Sequence, residues 1–400
     1  MSFRPLDGIR VLDLTSSLAG PYCTQVLAAL GAGVVKVEHP ERGDEARAWG
    51  PPLFDTGSAM FFAANAAKRS LALDLKAPRG RDALLRLVER ADVVVESMRP
   101  GAAERLGLGA DELRARNERL VHCSIGAYGR GGPRSHLPGY DPLIQAAAGI
   151  VALTGEPSRD GVRVGTSLVD LGTGTWAALA IVAALWERER SGVGASVDLS
   201  LYETALALVG YHLSAHLRTG EPPPGRQGTA FPLIAPYEAF ATADGALMVA
   251  AANDRLFAAL CEVLELRDLS ADPRFASNPL RVEHRAELVP PISARFRERS
   301  SAEWLERLER AGVPAAPIRE VPEVARDEQT RALAIVQPLG DGETVALPFA
   351  LDGERPRYES PPPLLGEHTR EVLREAGLAA AEIDALVATG VAAEPRGQTS

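Results

Sequence analysis

The chain has 400 residues, of which 46% are hydrophobic and 24% are charged, and its formal net charge is -10. This composition is typical of a soluble globular protein that is long enough for two or three domains. The acidic balance excludes a broad basic surface, so we expect neither nucleic acid nor a membrane as a partner.

Cysteine usage and the N-terminal residues indicate the compartment. Cys23, Cys123 and Cys261 are far apart, odd in number and without a CxxC pair, which fits a reducing cytoplasm and predicts no disulfide or zinc framework. Residues 1–7 lack the apolar segment of a secretory signal. The longest apolar stretch, 176–186, is too short to cross a bilayer and predicts a buried helix. We therefore expect a cytoplasmic protein.

Short β-rich runs alternate with helical segments in the first part of the chain. The runs that predict strands are 9–14, 33–37, 71–75, 91–95 and 120–125. Apolar residues at helical spacing predict helices at 21–30 and 79–88. This alternation predicts parallel strands with right-handed crossovers, so the expected fold class is α/β, with a Rossmann-like open parallel sheet.

A long apolar helix is predicted directly after Asp170. Its apolar face is formed by Trp176, Leu179, Val182, Ala183 and Trp186. Another helix is predicted over 199–218, and glycine with three consecutive prolines predicts a linker at 219–228. The later segments predict a hairpin at 236–242 and 246–251, helices at 254–264, 281–297 and 301–311, a strand at 343–347, a helix from Glu367 and a disordered tail at 394–400.

These elements predict two domains. The first part of a large Rossmann-like domain covers residues 1–218, and a linker follows at 219–228. A smaller α+β domain covers residues 229–328 and is inserted into the large one. Residues 329–400 return to the large domain and add C-terminal helices.

Familiar catalytic motifs are absent from the sequence, which narrows the chemistry. There is no Walker A loop, no GxGxxG after the first strand, no HExxH and no GxSxG. His212 and His216 share a helix face but have no third ligand nearby, so no metal site is expected. What remains are carboxylates among glycines at the ends of strands and helices.

Asp170 is the main candidate among these carboxylates. It lies in a glycine-rich segment, 164–174, at the start of the apolar helix. One interpretation is a helix N-cap that accepts backbone N–H bonds. The other is a nucleophile, because a helix dipole keeps a carboxylate ionised and glycines let a bulky thioester approach. The two interpretations are compatible, and Asp141 is likewise a candidate cap or ligand.

Lysine is rare in this chain, since only Lys36, Lys68 and Lys76 occur among 43 basic residues. Compact ammonium groups suit phosphates, so each lysine is a candidate phosphate contact, with chance and solvation as the alternative. Asp13 and His39 end the first two predicted strands. Asp13 either bonds the next loop or faces a ligand, and His39 either is a surface residue or contacts an adenine.

Several short segments match one family in order and spacing. They include PLDGIRVLDLT at 5–15, AGP at 19–21, LGAGVVKVEHP at 30–40, GD at 43–44, KRS at 68–70, RPG at 99–101, GYD at 139–141, VD at 169–170 and PPLLGEHT at 362–369. Together they resemble the class III (family III) CoA-transferases, the group of formyl-CoA transferase and carnitine CoA-transferase. The resemblance implies an enzyme that takes acyl-CoA and small carboxylic acids as substrates. It also implies an interlocked homodimer with no permanently bound cofactor.

The resemblance assigns roles to individual residues. Asp170 matches the catalytic aspartate, which forms acyl-anhydride and aspartyl-CoA thioester intermediates without a metal. The positions that match CoA contacts are Leu18, Ala19, His39, Leu73, Asp74, Leu75, Lys76, Ser97, Met98, Arg99 and Arg105. Lys76 and Arg105 would then meet phosphates. Tyr140 and Asp141 match the wall of the substrate pocket near the reacting carbon.

Departures from the family pattern bear on the substrate. Leu18 stands where formyl-CoA transferase has glutamine, Pro138 stands where it has lysine, and its run of four glycines has no counterpart here. These differences argue against formate and oxalate. The segment 227–240 is similar to the transferases of succinate, glutarate and citramalate, so we expect a larger, dicarboxylic acid.

Two other functions remain open at this point. The α-methylacyl-CoA racemases resemble much of the chain, but they have histidine at the position of Tyr140. Tyrosine, with an ordinary pKa of about 10, is a poor partner for proton exchange. The last alternative is a non-catalytic CoA-binding protein.

Overall fold

The computed structural model describes residues 4–395. The chain forms two compact units, of which the first comprises the residues up to Ala148, Gly165–Gly210 and the residues from Gln329 onwards. The second unit comprises Gly149–Val164 and Tyr211–Glu328.

The strands within residues 4–395 are β1 Arg10–Leu14, β2 Gly33–Glu38, β3 Leu53–Phe54, β4 Gly57–Ser58, β5 Lys68–Leu73, β6 Val93–Glu96, β7 Val121–Gly126, β8 Ser196–Ser200, β9 Tyr237–Ala241, β10 Ala246–Ala250, β11 Ala315–Pro317, β12 Val336–Leu339, β13 Gly342–Val345 and β14 Ala392–Ala393. The helices in the same range are α1 Ala19–Ala29, α2 Ala59–Ala64, α3 Pro78–Val88, α4 Ala102–Arg105, α5 Ala110–Arg116, α6 Asp141–Ala147, α7 Ile150–Leu153, α8 Leu168–Ser191, α9 Leu201–Leu208, α10 Gly210–Thr219, α11 Asp254–Val263, α12 Arg267–Ala271, α13 Asn278–Glu283, α14 Arg285–Phe296, α15 Ser301–Arg310, α16 Val321–Arg326, α17 Glu328–Ala332, α18 Thr369–Glu375 and α19 Ala380–Ala388. Short 3-10 turns cover Glu45–Ala48 and Pro273–Phe275.

A seven-stranded sheet with the order β14-β5-β2-β1-β6-β7-β8 organises the first unit. All neighbouring strands in this sheet are parallel to each other except β14, which pairs antiparallel with β5. From β1, the parallel strands follow one another in sequence order towards one edge of the sheet as β2 and β5, and towards the other edge as β6, β7 and β8. The strand order therefore reverses between β1 and β6. Open α/β sheets bind ligands at such a reversal, beyond the carboxyl ends of the strands. The predicted α/β fold with a mostly parallel sheet is confirmed.

Strands β5 and β8 of this sheet differ from the prediction in instructive ways. Strand β5 begins at Lys68, three residues before the predicted 71–75 stretch, because an ion pair with Asp13 buries the Lys68 ammonium group. Strand β8 occupies residues that were predicted in part as helix. Ser200 ends β8 and caps α9, since its Oγ accepts a hydrogen bond from the backbone N–H of Glu203 at 3.2 Å.

Helix α8 begins two residues before Asp170 and buries a different face from the one predicted. Small residues on its buried side let α1 approach closely, and a Cβ added to Gly174 would lie 2.5 Å from the carbonyl oxygen of Ala19. Trp176 and Trp186, predicted to face the core, are more than half exposed. With 24 residues, α8 is also longer than the predicted stretch, and by length and composition it could cross a membrane. A core helix passes the same test, and here one side of α8 packs on α1, β7 and β8.

The second unit is α+β, with a three-stranded antiparallel sheet in the order β11-β10-β9. The predicted hairpin is present as β9 and β10. Helices pack on the sheet around a core that includes Phe240, Phe257, Phe275, Phe296 and Trp304.

The boundaries of the second unit differ from the predicted domain at 229–328. The unit begins at Tyr211 and also takes in 149–164, which the prediction placed in the large domain. The reason is local, because the predicted linker is bound to that segment. Gly228 donates its backbone N–H to the carbonyl of Gly155 at 2.9 Å, and Arg226 Nε donates to the carbonyl of Glu156 at 3.4 Å.

Candidate active site

The positions matched to CoA contacts lie at the carboxyl edge of the parallel sheet, at the end of β5 or in the segments that follow β1, β2, β5 and β6. Leu18 and Ala19 follow β1, His39 follows β2, Leu73 ends β5 and leads to Asp74, Leu75 and Lys76, and Ser97, Met98, Arg99 and Arg105 follow β6. The backbone N–H of Ser16 donates to Ser97 Oγ at 3.2 Å. The loops after β1 and β6 therefore touch at the point where the strand order reverses.

These positions differ in how freely they meet a ligand. Lys76, Arg99 and Arg105 are exposed, and their side chains form no ion pair or hydrogen bond within residues 4–395. Leu18 and Ala19 are buried at the start of α1, so a ligand would meet their backbone rather than their side chains. The edge thus offers free cationic groups to an anion such as a phosphate.

Lys36 and Lys68 do not belong to this group, and the hypothesis that they contact phosphates is wrong. Both are buried, and Lys36 Nζ lies 2.8 Å from Asp44 Oδ2 while Lys68 Nζ lies 2.9 Å from Asp13 Oδ2. Asp13 also accepts a hydrogen bond from the backbone N–H of Thr15 at 3.0 Å. Burial alone would raise the pKa of Asp13, but the two ammonium groups hold it far below its ordinary value. Asp13 therefore stabilises the buried structure at this edge of the sheet and does not face a ligand.

Asp170 is not the cap of α8, because a neighbouring helix supplies that cap. Asp170 occupies the third position of α8, and Asp141 Oδ2 accepts hydrogen bonds from the backbone N–H groups of Val169 at 2.8 Å and of Asp170 at 3.2 Å. Asp141 is almost fully buried, and Gln145 Nε2 donates to its other oxygen at 2.6 Å. Asp141, which lies at the start of α6, therefore satisfies the first amides of α8.

The Asp170 carboxylate itself is half-buried, and it accepts no hydrogen bond from the described part of the chain. Burial, followed by the negative charge of Asp141, raises its pKa to about 7. The expectation that the helix dipole keeps this carboxylate fully ionised is therefore wrong. In the described part of the chain no donor engages the lone pairs of Asp170, so the deprotonated carboxylate could attack an electrophile.

The fold places Asp170 beside the start of α1. Helices that connect parallel strands run back against them, so α1 and α8 both begin at the carboxyl edge. Asp170 precedes Gly174 by one helical turn, and Gly174 packs against Ala19. Because residues four apart share a helix face, Asp170 lies on the side of α8 that faces the α1 terminus and its CoA-matched positions.

Tyr140 brings two residues to the site that the sequence did not single out. Its hydroxyl donates to Glu45 Oε1 at 3.2 Å, and its ring lies edge-on to Trp49 with 6.4 Å between ring centres. Glu45 begins the short 3-10 turn after Asp44 and Trp49 follows it, and nothing in the local sequence pattern distinguishes these two residues from solvent-exposed ones. Within residues 4–395 no group of three or more His, Cys, Asp or Glu side chains could hold a metal ion.

Comparison with known proteins identifies the family to which the chain belongs. The model of a family described as "CoA-transferase family III" matches residues 6–369. A Mus musculus relative, "Succinyl-CoA:glutarate CoA-transferase", is 40% identical over 381 residues, covering 94% of this chain and 87% of the relative. An Agrobacterium fabrum relative, "Succinate--glutarate CoA-transferase", is 39% identical over 382 residues, covering 93% of this chain and 95% of the relative.

A solved structure agrees with these sequence relatives. The crystal structure of a CAIB/BAIF family protein from Brucella suis superposes with a TM-score of 0.85 at 36% identity, covering 94% of this chain and 100% of that one. The match of a family model over most of the chain, with relatives of this identity, makes the predicted family and enzyme class correct. The chain belongs to CoA-transferase family III and is an enzyme that transfers CoA between an acyl-CoA and a carboxylic acid.

Proposed function

We propose that this enzyme moves CoA between dicarboxylic acids, with succinyl-CoA as a donor and glutarate or a similar acid as the acceptor. The names of the Mus musculus and Agrobacterium fabrum relatives support this pair. The sequence adds the similarity of 227–240 to transferases of such acids. CoA enters and leaves as a substrate, and the proposal needs no permanently bound cofactor.

Asp170 is the nucleophile in this proposal, and one observation carries the assignment. Its carboxylate is half-buried at the carboxyl edge and accepts no hydrogen bond within residues 4–395, while Asp141 meets the capping needs of α8. A carboxylate that is costly to bury and has no structural partner fits a reactive group better than a structural one. A pKa of about 7 makes its ionised form available at neutral pH.

The reaction proceeds by covalent exchange. Ionised Asp170 attacks the thioester carbonyl of the donor, which gives a mixed anhydride and releases CoA thiolate. The thiolate attacks the aspartyl carbonyl, so the donor acid leaves with one oxygen from Asp170 and an aspartyl-CoA thioester remains. The acceptor carboxylate opens this thioester to a second anhydride, and the thiolate then takes the acceptor acyl group. Asp170 is regenerated with one oxygen from the acceptor, and each step has a good leaving group.

The neighbouring residues position the reactants. Asp141 holds the first amides of α8 and thereby fixes the backbone that carries Asp170. Lys76 and Arg105 supply the charges for the phosphates of CoA, and Tyr140 forms a wall of the acid pocket. The CoA chain then runs along the loops after β1, β2, β5 and β6 towards Asp170.

Oxygen transfer tests the nucleophile. With heavy-oxygen-labelled glutarate and unlabelled succinyl-CoA, the label should enter Asp170 and, after further turnovers, the released succinate, as read by mass spectrometry. Hydroxylamine or borohydride should trap the thioester on Asp170. Label on another residue, or turnover by Asp170→Ala, would overturn the assignment. Asp55→Ala removes an exposed carboxylate with no hydrogen bond in the described chain and serves as the matched control.

A substrate panel tests the acids. Several acyl-CoA donors crossed with mono- and dicarboxylic acids should give the highest turnover with pairs of dicarboxylic acids. If short monocarboxylic acids react best, the proposed substrate class is wrong. Deuterium exchange at the α-carbon of 2-methylacyl-CoA without an acceptor acid would instead indicate racemase chemistry.

The assembly and the compartment are also part of the proposal. We infer an interlocked homodimer from the family resemblance, and exposed apolar side chains on and beside α8 support a second chain there: Leu143, Trp176, Leu179 and Trp186. Light scattering should give twice the chain mass of 42.4 kDa. The buried free thiols of the three cysteines support a cytoplasmic location, which cell fractionation tests.

A further inference from the structure

Glu45 connects the two halves of the candidate site. Its Oε1 accepts a hydrogen bond from Ser17 Oγ at 2.7 Å and another from the Tyr140 hydroxyl at 3.2 Å. Ser17 belongs to the loop after β1, which leads into the CoA-matched positions. Tyr140 precedes Asp141 and carries the proposed wall of the acid pocket. One carboxylate oxygen thus joins the CoA side of the site to the acid side.

The Ser17 end of this bridge is held independently of Glu45. Ser17 has a left-handed backbone with φ of 72°, which is uncommon for a residue other than glycine. Its backbone N–H donates to Asp44 Oδ1 at 3.0 Å, and Asp44 is in turn ion-paired with buried Lys36 at 2.8 Å. The loop after β1 therefore keeps its anchor when Glu45 is removed.

The Tyr140 end of this bridge has fewer contacts that fix its position. Tyr140 is 49% exposed, and within residues 4–395 its hydroxyl hydrogen-bonds to Glu45 alone. Its ring also lies edge-on to the ring of Trp49, a contact that includes no hydrogen bond. Loss of Glu45 should therefore release Tyr140 and leave Ser17 in place.

Glu45 also does not shift the pKa of Asp170, the proposed nucleophile. The pKa of Asp170 is raised by burial and by Asp141, and Glu45 is not among the causes. A change at Glu45 should accordingly leave the ionisation of Asp170 as it is. This separates positioning of Tyr140 from tuning of Asp170.

We propose that Glu45 is a positioning residue for the acid substrate, which holds Tyr140 in the wall of the pocket beside Asp170. This inference rests on the proposed function, because it concerns the acid that Asp170 exchanges. The CoA side of the site depends on the Asp44 anchor and the acid side on Glu45.

Steady-state kinetics with succinyl-CoA and glutarate test the proposal. Glu45→Ala should raise KM for glutarate about tenfold, with kcat and KM for succinyl-CoA nearly unchanged, because a misplaced wall weakens binding of the acid. Glu45→Gln keeps an oxygen that accepts from both hydroxyls, so KM should return to within about twofold of the wild-type value. The pH midpoint of kcat should be the same in all three proteins.

A double-mutant cycle shows whether Glu45 acts through Tyr140. Tyr140→Phe should raise KM for glutarate as much as Glu45→Ala does, and the double variant should be no worse than either, because both remove the same hydrogen bond. Independent, multiplied losses would overturn the proposal. So would a Glu45→Gln variant as impaired as Glu45→Ala, or a loss confined to KM for succinyl-CoA.

Two controls keep these outcomes interpretable. Asp55→Ala, in the nearby β3–β4 hairpin, should leave both KM values unchanged, and urea unfolding should verify that the Glu45 variants are folded. Asp170→Ala in the same assay separates the two hypotheses. Turnover by Asp170→Ala defeats the proposed mechanism, whereas an inactive Asp170→Ala beside a Glu45→Ala with normal KM defeats only the role of Glu45.

Discussion

Two carboxylates at the same sheet edge, buried Asp13 and half-buried Asp170, have pKa values that are shifted in opposite directions. Asp13, the fourth residue of β1, lies among two ammonium groups and several hydrogen-bond donors, and its pKa is held far below the ordinary value despite burial. Asp170, the third residue of α8, has neither an ion pair nor a hydrogen-bond donor on its carboxylate within residues 4–395, and burial together with Asp141 raises its pKa to about 7. Burial cannot explain this difference, because the pKa is lowered in Asp13, the more buried of the two, so the partners of each carboxylate must cause it. Asp13 is thereby held by structural partners, whereas the environment of Asp170 fits its proposed role as the nucleophile.

The largest expected effect comes from removing the free carboxylate. Asp170→Asn is nearly isosteric but cannot form an anhydride, so kcat should fall by at least about a thousandfold, as for other lost nucleophiles. Steady-state turnover with succinyl-CoA and glutarate measures this. Asp55→Asn, an equal change at an exposed site, should retain wild-type turnover, and an active Asp170→Asn would place the chemistry elsewhere.

A second prediction concerns the ion pair that Asp13 forms with Lys68. Lys68→Met leaves Asp13 buried without its ion pair, so the free energy of unfolding should fall by about 3–5 kcal/mol. Urea titration at neutral pH measures the change. Lys76→Met, which removes an exposed lysine from the same edge, should change stability by no more than about 0.5 kcal/mol. Equal effects in the two variants would contradict the buried network.

The free energy of unfolding should depend on pH through Asp170. The pKa of Asp170 is raised in the folded chain, so the folded state binds the proton more tightly and loses stability as pH rises from about 4 to about 7. Asp170→Asn lacks this loss. Its free energy of unfolding should match the wild type near pH 4 and exceed it by about 1–4 kcal/mol at pH 8.

Unfolding curves at several pH values would provide this measurement. The difference between Asp170→Asn and the wild type should grow from pH 4 to pH 7 and then stay level. A constant difference over that range would mean that the Asp170 carboxyl titrates as it does in the unfolded chain. A difference of opposite sign would mean that a partner stabilises its ionised form.

The sheet and its edge could be predicted from sequence because they follow from local patterns. Apolar runs alternate with helical periodicity, and the carboxyl ends of parallel strands then gather the loops that carry Lys76, Arg99 and Arg105. The position of Asp170 at the start of an apolar helix was equally local. The family resemblance added the assignment of roles.

The partners of these residues could not be predicted, since they come from distant segments. Asp141 caps a helix that begins 27 positions later in the chain, at Leu168, and Glu45 meets Tyr140 across 95 positions. Lys36 and Lys68 are candidate phosphate contacts in the sequence, and only the folded sheet shows the buried carboxylates with which they form ion pairs. The pKa of Asp170 depends on such contacts, which is why its direction was expected wrongly.

The smallest expected effect separates the two causes that raise the pKa of Asp170. Asp141→Asn keeps an oxygen that accepts the amides of Val169 and Asp170 but removes the negative charge. The pKa of Asp170 should then fall from about 7 while burial still holds it above its ordinary value. The midpoint of the rise of kcat with pH should move towards acid by about 0.5–1 pH unit, because the like charge is the lesser cause. A Glu45→Gln variant controls for loss of a nearby charge and should keep the wild-type midpoint. An unchanged midpoint in Asp141→Asn would assign the whole shift to burial, and a move towards alkali would mean that Asp141 does not act on Asp170 through its charge.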